Sequence, residues 1–523
     1  MPPRNPNFTG RAAELVRLRE QLAGHPAVTV HALHGMGGIG KTQTAAEYAY
    51  RHAAEYDLVW WVNAEQAALI GDQLTLLGAE LGLPPLADPA AMLAAVHRAL
   101  RARERWLLIF DNAEDPGELS PLLPGGTGHL LITTRRGGFR ALGAVLDLDT
   151  LDRTDAITLL CRRAPALTDP QAEQIAARLG DLPLALDQAA AYLDQTGMAP
   201  EQYLGLLGTR DAELHDRGQA AGHASTVATV WSVSLNRLQA SVPAGVQLLE
   251  LCAWLAPEPI PLDLFTGHCS LLPEPLAGAA ADPITFNEAV GALIDYSLAR
   301  RVSDALVVHR LIQDVTRHRQ LGELAVGTRG NLGTALALLR ADLPGEVRAT
   351  PGNWPRWRQL LSSVLAATGH DAQTADSDTT AWLLARAGTY LTTQGQLEES
   401  LSLRQRVLRI HEAAHGPDHP TVTADLNSLG LSLANLGRPG EALPLHQRAL
   451  RINEAALGPD DPSVATDLYY AGRALAELGR PEEALPLQQR ALRIRETAHG
   501  PDHPITHQSR KYVNDLKSRL GCV

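Results

Sequence analysis

The chain has 523 residues, enough for three or four packed units, and its 45% hydrophobic but only 4% aromatic content leaves leucine, alanine and valine to build helix-rich cores. A formal charge of -12 argues against a protein whose main surface grips nucleic acid or an anionic membrane, because neutralising phosphate takes a basic face. Cys161, Cys252, Cys269 and Cys522 form no CxxC pair and no zinc spacing, no apolar run reaches the length of a membrane span, and no leader opens the sequence, so reduced thiols in a cytoplasmic chain are expected.

Short apolar runs at 27–33, 58–63, 106–110, 130–134 and 145–148 alternate with helical stretches, the first of them at 42–56. Such alternation predicts a parallel sheet covered by helices, an α/β domain over 1–150. From 151 to 240 strand candidates fade and helical segments take over at 171–179 and 183–195, predicting an all-α domain. Over 241–330, helices at 247–254 and 287–295 precede two short apolar runs, 298–302 and 306–309, split by Ser303 and Asp304. Helices followed by a hairpin and a further helix predict a winged-helix domain. A helical linker broken by Pro344, Pro351 and Pro355 is expected over 331–380.

The segment 381–523 is a repeat. Gly-Pro-Asp-His/Asp-Pro begins at Gly416, Gly458 and Gly500, and Gly395, Gly437 and Gly479 recur with the same period of 42 residues. Each unit predicts a pair of helices. In one of them Ala442, Leu445, Ala449, Ile452 and Ala456 advance by threes and fours and so share a face. Pro439 and Pro481 suit a first helical turn, the glycines two residues before them suit helix C-caps, and Pro444 and Pro486 fall deeper, where a bend is expected.

The chemistry concentrates between 35 and 42. Gly35-Met36-Gly37-Gly38-Ile39-Gly40-Lys41-Thr42 fits GxxxxGK[ST], follows an apolar strand and opens a helix. Glycines let backbone N–H groups wrap phosphates, the helix start adds partial positive charge, Lys41 reaches the outer phosphates and the Thr42 hydroxyl completes a magnesium shell. Three lysines in the whole chain, Lys41, Lys511 and Lys517, make an accidental match rare, with roughly 0.002 expected by chance. Residues 107–110 form an apolar strand ending in Asp111, placed to hold magnesium through water. Asn112 stands where a second acid would help orient the attacking water, which puts hydrolysis in doubt.

In this order the motifs resemble the NB-ARC branch of the STAND NTPases over about residues 5–320. The segment from Phe8 to Arg11 is similar to the family's adenine-contacting segment, 35–42 and Asp111 to its Walker A and Walker B motifs, and Thr133-Thr134-Arg135 to the sensor whose arginine feels the terminal phosphate. Gly180 to Leu184 resembles the GLPL motif, whose proline, here Pro183, packs near adenine. Val308-His309-Arg310 stands at the MHD motif, whose histidine touches the β-phosphate of ADP, with Arg310 in place of the usual aspartate. The resemblance therefore implies a nucleotide site of Phe8, Arg11, Gly35, Gly37, Gly38, Ile39, Gly40, Lys41, Thr42, Gln43, Pro183 and His309, metal ligands Thr42 and Asp111, and catalytic roles for Asp111 and Arg135. ADP or ATP with Mg2+ are the implied cofactors. The 42-residue units resemble kinesin-light-chain-like tetratricopeptide repeats, an α-solenoid whose groove takes a protein or peptide; Asn427, Asn435, Tyr470 and Arg473 are candidates to face it.

The resemblance implies a signalling switch that rests with ADP and exchanges it for ATP when a partner binds the repeats, with a homo-oligomer as the active form and at most slow ATP hydrolysis. A second reading is a repeat scaffold in which ADP is structural and never exchanged. A third, a DNA-binding regulator using the winged helix, is disfavoured by the acidic charge. Seven residues precede Phe8, so output is expected from assembly, from a separate chain or from a part outside this sequence.

Overall fold

The computed structural model describes residues 1–23, 29–34, 38–86, 88–136, 138–207, 223–322, 328–348, 350–371 and 377–520. The expected site residues Gly35 and Gly37, and Cys522, lie outside them. The chain divides into two compact units, Met1–Asp342 and Leu343–Val523.

The first unit opens with α1 (Ala12–Ala23), then β1 (Thr29–His34), α2 (Lys41–Arg51), β2 (Leu58–Asn63), α3 (Ala67–Glu80), α4 (Pro89–Arg101), β3 (Trp106–Ala113), a short α5 (Pro116–Leu119), β4 (His129–Thr134) and β5 (Ala144–Asp147). The five strands make one parallel sheet in the order β2-β3-β4-β1-β5. Its middle is apolar throughout because both faces are covered. Leu107 and Ile109 of β3 face a core shared with Leu18 of α1 and Tyr48 of α2, whereas Leu108 and Phe110 face one shared with Leu74 of α3 and Val96 of α4. Neighbours β1 and β4 are far apart in sequence, so the chain after β1 leaves the sheet at a point where the strand order reverses, and ligands bind at the carboxyl edge there.

Several sequence expectations shift at element ends, and the two largest in the sheet domain are these. The helix over 42–56 stops at Arg51, where the His52 N–H bonds back to the Tyr48 carbonyl and a short 3-10 turn, Ala53–Glu55, leads into β2. The β3 run extends past Phe110 to Ala113 through a register shift against β4. The shift lets Asn112 take φ 61, a left-handed value that asparagine tolerates.

Three helices follow, α6 (Arg153–Arg163), α7 (Asp169–Leu179) and α8 (Pro183–Thr196). Thr168 and Gln171 form a capping box at the start of α7, and Gly180 and Asp181, both at positive φ, turn the chain into α8 with Pro183 at its first position. After α9 (His223–Ser241), α10 (Pro243–Cys252), β6 (Ile260–Pro261), α11 (Asp263–Thr266), α12 (Leu276–Ala281), α13 (Pro283–Asp295), β7 (Arg300–Val302), β8 (Ala305–Val307) and α14 (Arg310–Gly322) make the winged-helix arrangement, with an antiparallel sheet in the order β6-β8-β7. The Gln313 amide of α14 donates to the carbonyls of Cys252 and Leu255, and the Trp254 indole donates to Gln320 at 2.8 Å, so α14 is pinned to the end of α10. The opening part of the expected linker belongs to α15 (Thr328–Asp342), which packs on α10 within the same unit.

In the second unit α16 (Trp354–Asp371) precedes the tetratricopeptide pairs α17 (Asp378–Thr393) with α18 (Leu397–His415), α19 (Val422–Asn435) with α20 (Pro439–Leu457), and α21 (Pro462–Glu477) with α22 (Pro481–His499), then α23 (Pro504–Arg519). Gly416, Gly458 and Gly500 end the second helix of each pair at φ 95, 90 and 86 with ψ 155, 163 and 165, a backbone region that only glycine occupies without strain. Pro444 and Pro486 sit inside α20 and α22 without ending them, and the bonds forgone are those to the carbonyls of Gly440 and Glu482.

Helices within a pair interlock through a glycine on the first. A Cβ at Gly430 would stand 2.5 Å from the His446 ring, and one at Gly472 would stand 2.6 Å from the Gln488 amide. Burial and nearby Arg473 pull His446 down to about 4, so it is neutral at physiological pH. Its Nδ1 donates to Asn427, whose amide donates to Asp467, which also accepts from Asn453 at 2.7 Å. Asn427 is therefore buried in this network and does not line a groove, Tyr470 stacks on His446, Arg473 pairs with Glu477, and Asn435 is exposed. Gly430→Ala is expected to displace the stiff His446 ring, break the network and cost about 1 to 3 kcal/mol, read as a lower urea midpoint for the repeats.

Candidate functional site

The carboxyl edge of the sheet gathers the polar ends of three strands. Gly40 takes φ 94 at the start of α2, and no side chain caps that helix, which leaves its first N–H groups facing outward from a turn built for close approach. Lys41 follows at the first helical position and is buried. Burial, with the charge of Arg135 adding and Asp111 opposing, pulls its ammonium down to about 8. A buried cation crowded by a second cation is stabilised by an anion of high charge density.

Asp111 ends the apolar part of β3 and is itself buried. Its Oδ1 accepts from the Thr42 hydroxyl at 2.9 Å and from the Thr133 hydroxyl, and Thr133 in turn accepts from the Asn112 N–H at 2.9 Å. Burial raises this carboxyl above the usual range, against the pull of Thr133, Thr42 and Lys41. The hydroxyl and the carboxylate that the sequence assigned to magnesium are thus side by side. Among the described residues no cluster of three histidine, cysteine or acidic side chains forms a metal cage, so a magnesium ion here would take its remaining ligands from phosphate and water.

The loop is closed over by distant parts of the chain. The Leu184 N–H, in the first turn of α8, reaches the Gly38 carbonyl at 3.4 Å, and a Cβ on Gly38 would meet Leu184 at 3.4 Å and Leu311 of α14 at 3.5 Å. Pro183 stands half-buried one residue before Leu184. Asp181 is held by a two-pronged pair with Arg153, at 2.7 and 2.8 Å. His309 precedes α14 and accepts from the Leu311 N–H at 3.2 Å through Nδ1. Its ring keeps a solvent-accessible face within a wall of protein, and that crowding, with Arg135 and Lys41 nearby, pulls it down to about 4. Lys41, Arg135 and His309 therefore act on one another electrostatically.

The opening segment lies against the same loop. Arg11, at φ 63, is buried; its guanidinium donates to the Ile39 carbonyl at 3.2 Å and to the Asp149 carbonyl, and pairs with Glu14 at 2.8 Å. Phe8 packs on the core beneath, with Arg51 over its ring at 5.8 Å, and Gln43 is half-buried in the first turn of α2.

The motifs did not reveal three acids at this edge. Arg310 pairs with Glu65 at 2.8 Å and with Glu114 at 3.1 Å, and Glu114 also pairs with Arg135 at 3.3 Å and Arg136 at 3.1 Å. Glu258, before β6, accepts from the Asn63 amide at 2.7 Å, and one oxygen each of Glu65 and Glu258 is buried without a hydrogen-bond partner. No spacing rule joins residues so far apart in the chain; only Glu114, three places after Asp111, offered a signal.

An uncapped helix start with a buried lysine, beside a threonine and an aspartate at the carboxyl edge of a parallel sheet, defines a P-loop nucleotide-binding module. The NB-ARC domain family matches residues 11–166, a domain of unknown function (DUF7779) matches 236–322, and tetratricopeptide repeat families match 380–421 and 421–497. The chain thus carries an NB-ARC domain and C-terminal tetratricopeptide repeats. It is 24% identical over 442 residues to a nucleotide-binding leucine-rich repeat (NLR)-like protein of Hyaloscypha variabilis, covering 76% of this chain and 42% of that protein. It is 33% identical over 212 residues to the regulatory protein AfsR of Streptomyces griseus, covering 37% of this chain and 21% of that protein. The chain thus spans less than half the length of these curated relatives. Among solved structures, a signal transduction ATPase with numerous domains (STAND) carrying a tetratricopeptide repeat sensor, from Pyrococcus horikoshii, aligns with TM-score 0.47 and 14% identity over 99% of this chain and 75% of that one.

Burial, with Glu65 adding, pushes the Glu258 carboxyl up to about 7. The folded state therefore binds a proton that the unfolded chain has already lost, and stability falls as pH climbs from the ordinary glutamate range through 7. Glu258→Gln keeps the bond from Asn63 and removes the buried charge. It is expected to raise the unfolding temperature by a few degrees at pH 8 and to leave it nearly unchanged at pH 5, measured by calorimetry.

Proposed function

We propose that this chain is a nucleotide-controlled signalling switch that holds ADP at rest and exchanges it for ATP when a protein or peptide binds the repeats. The observation that carries the reading is the convergence of three separate elements on one loop: Leu184 at the start of α8 and Leu311 at the start of α14 both close on Gly38, with His309 beside Lys41 and Arg135. A diphosphate seated on the α2 amides would be enclosed by the sheet edge, the helices after it and the winged helix together. Its departure, or the arrival of a third phosphate, would alter the contacts of all three, which is how a small ligand biases two arrangements of packed parts.

Within this reading Gly38, Ile39, Gly40 and Gln43 line the phosphate turn, Lys41 neutralises the outer phosphates, and neutral His309 offers a ring nitrogen to a β-phosphate oxygen. Phe8, Arg11 and Pro183 shape the side toward the base. Thr42 and Asp111 would hold magnesium, which supplies charge to the phosphate oxygens when bound. The repeats supply the surface for a partner, and a homo-oligomer is the form we assign to the triphosphate state. The free thiols Cys161, Cys252 and Cys269 suit the reducing cytoplasm, and no helix among the described residues is long and apolar enough to cross a membrane. Lys41→Ala is expected to weaken ADP binding at least tenfold by titration calorimetry, and the purified wild type is expected to release ADP on denaturation, identified by mass spectrometry. Unchanged ADP affinity in the variant would show that the site lies elsewhere.

Asn112 favours a second reading, a repeat scaffold in which ADP is structural. Its side chain carries no charge, and its backbone N–H is committed to Thr133 in a left-handed turn, so no acid stands at the position immediately after Asp111 to orient a water. The two readings separate on adding excess ATP and magnesium to the ADP-loaded protein with and without a partner at the repeats. A switch exchanges its nucleotide and changes its sedimentation, whereas a scaffold does neither.

A further inference from the structure

The acid opposite Arg135 is there because of one extra residue. Phe110 pairs with Ile132, and regular continuation would set Ala113 opposite Arg135; the register shift pairs Ala113 with Thr134 instead, so Glu114 arrives opposite Arg135. Asn112 at φ 61 is the residue that absorbs the extra length. At that place Glu114 is held by three guanidinium groups: its Oε1 pairs with Arg135 at 3.3 Å and Arg310 at 3.1 Å, and its Oε2 with Arg136 at 3.1 Å. Burial raises the Glu114 carboxyl, but Arg136, Arg310 and Arg135 outweigh it and hold the group below its ordinary value, so it is an anion at neutral pH.

Arg135 follows Thr133 by two residues at the carboxyl edge, where Thr133 and Thr42, the neighbour of Lys41, donate to the same oxygen of Asp111; the lysine of such a loop reaches the outermost phosphates, so Arg135 lies on the side where charge is added when a nucleotide gains a phosphate. We propose that Glu114 is a specificity-determining residue that favours a nucleoside diphosphate over a triphosphate by occupying Arg135. This rests on reading the loop as a nucleotide site. A diphosphate leaves the Glu114–Arg135 pair in place. A triphosphate must draw Arg135 away from Glu114 and seat a further negative charge near that carboxylate, and both changes cost affinity. Because Arg310 shares Glu114, the same carboxylate ties the preference for the diphosphate to the seating of the winged helix. Sequence patterns alone could not supply this, for Glu114 meets Arg135 only through the shifted register and meets Arg310 only through folding across 196 positions.

The test is the ratio of dissociation constants for ATP and ADP, each measured with magnesium by equilibrium titration on the full chain. In Glu114→Gln, which keeps the side chain's length and removes its charge, the ratio is expected to fall about tenfold, a change of about 1.4 kcal/mol. Adding Arg135→Ala to that variant is expected to raise the ratio again, because the released arginine supplies part of the gain. A ratio within about twofold of wild type in Glu114→Gln, with ADP still bound and Lys41→Ala still losing it, would overturn this inference and leave the nucleotide site standing. If wild type and Lys41→Ala alike bind neither nucleotide, the site reading falls and the inference with it. Should Glu114→Gln unfold, Glu114→Asp, too short to keep its reach to Arg135, is expected to shift the ratio the same way, and no shift in it would likewise overturn the proposal.

Discussion

A single carboxylate oxygen of Asp111 accepts hydrogen bonds from Thr42 on α2 and Thr133 on β4, and so joins its own strand β3, the neighbouring strand and the helix that follows the phosphate loop. Taking an ionised carboxylate out of water is costly unless donors surround it, and here the donors are supplied by the elements whose relative position has to be exact. Thr133 serves twice, donating to Asp111 and accepting from the Asn112 N–H, so the sharp turn after Asp111 is satisfied by the same hydroxyl. The carboxyl edge of the sheet is therefore organised before any ligand is considered. Loss of this centre would release the turn that carries Glu114 as well as the start of α2.

Around that fixed centre the unit concentrates unlike charges in a small, partly buried volume. Lys41, Arg135 and Arg310 are interleaved with Asp111, Glu65 and Glu114, and the shortest pairs join the sheet edge to the winged helix. The gain from such pairs depends on how well each oxygen is matched. Glu65 and Glu258 each keep a buried oxygen without a partner, so this edge retains polar groups that another arrangement could satisfy better.

Much of the architecture could be read from the residues, and the reasons are local. The run 58–63 matches β2 at both ends, because an apolar strand bounded by polar residues has little freedom in where it starts and stops. The repeat register followed from glycines that accept φ values no other residue takes comfortably and from prolines that open α20 and α22. What stayed hidden was set by contacts across the chain. The extension of β3 depends on how it pairs with β4, and the placing of Asn427 depends on His446 and Asp467 from neighbouring helices. At the site, the roles offered to Lys41, Thr42 and Asp111 came from a compact motif, and the three do meet. Glu65 and Glu258 carry no such signature, since Glu65 meets Arg310 and Glu258 meets Asn63 only through folding of distant parts of the chain.

The junctions of the repeat array are built from the same pieces at each step. Arg448 of α20 pairs with Glu412 of α18 at 2.7 Å and caps the Pro417 carbonyl, and 42 positions later Arg490 of α22 pairs with Glu454 of α20 and caps the Pro459 carbonyl. Each joint thus depends on its immediate neighbours and on nothing farther along, as in a chain of identical links. Gaining or losing a whole 42-residue block keeps the arginine, the glutamate and the proline carbonyl of the remaining joints in step, while the bonds of Asn427 and Asn453 to Asp467 belong to one joint alone. The partner-facing surface can therefore lengthen or shorten in whole steps over evolutionary time, a ruler whose gradations are fixed by one arginine, one glutamate and one proline carbonyl.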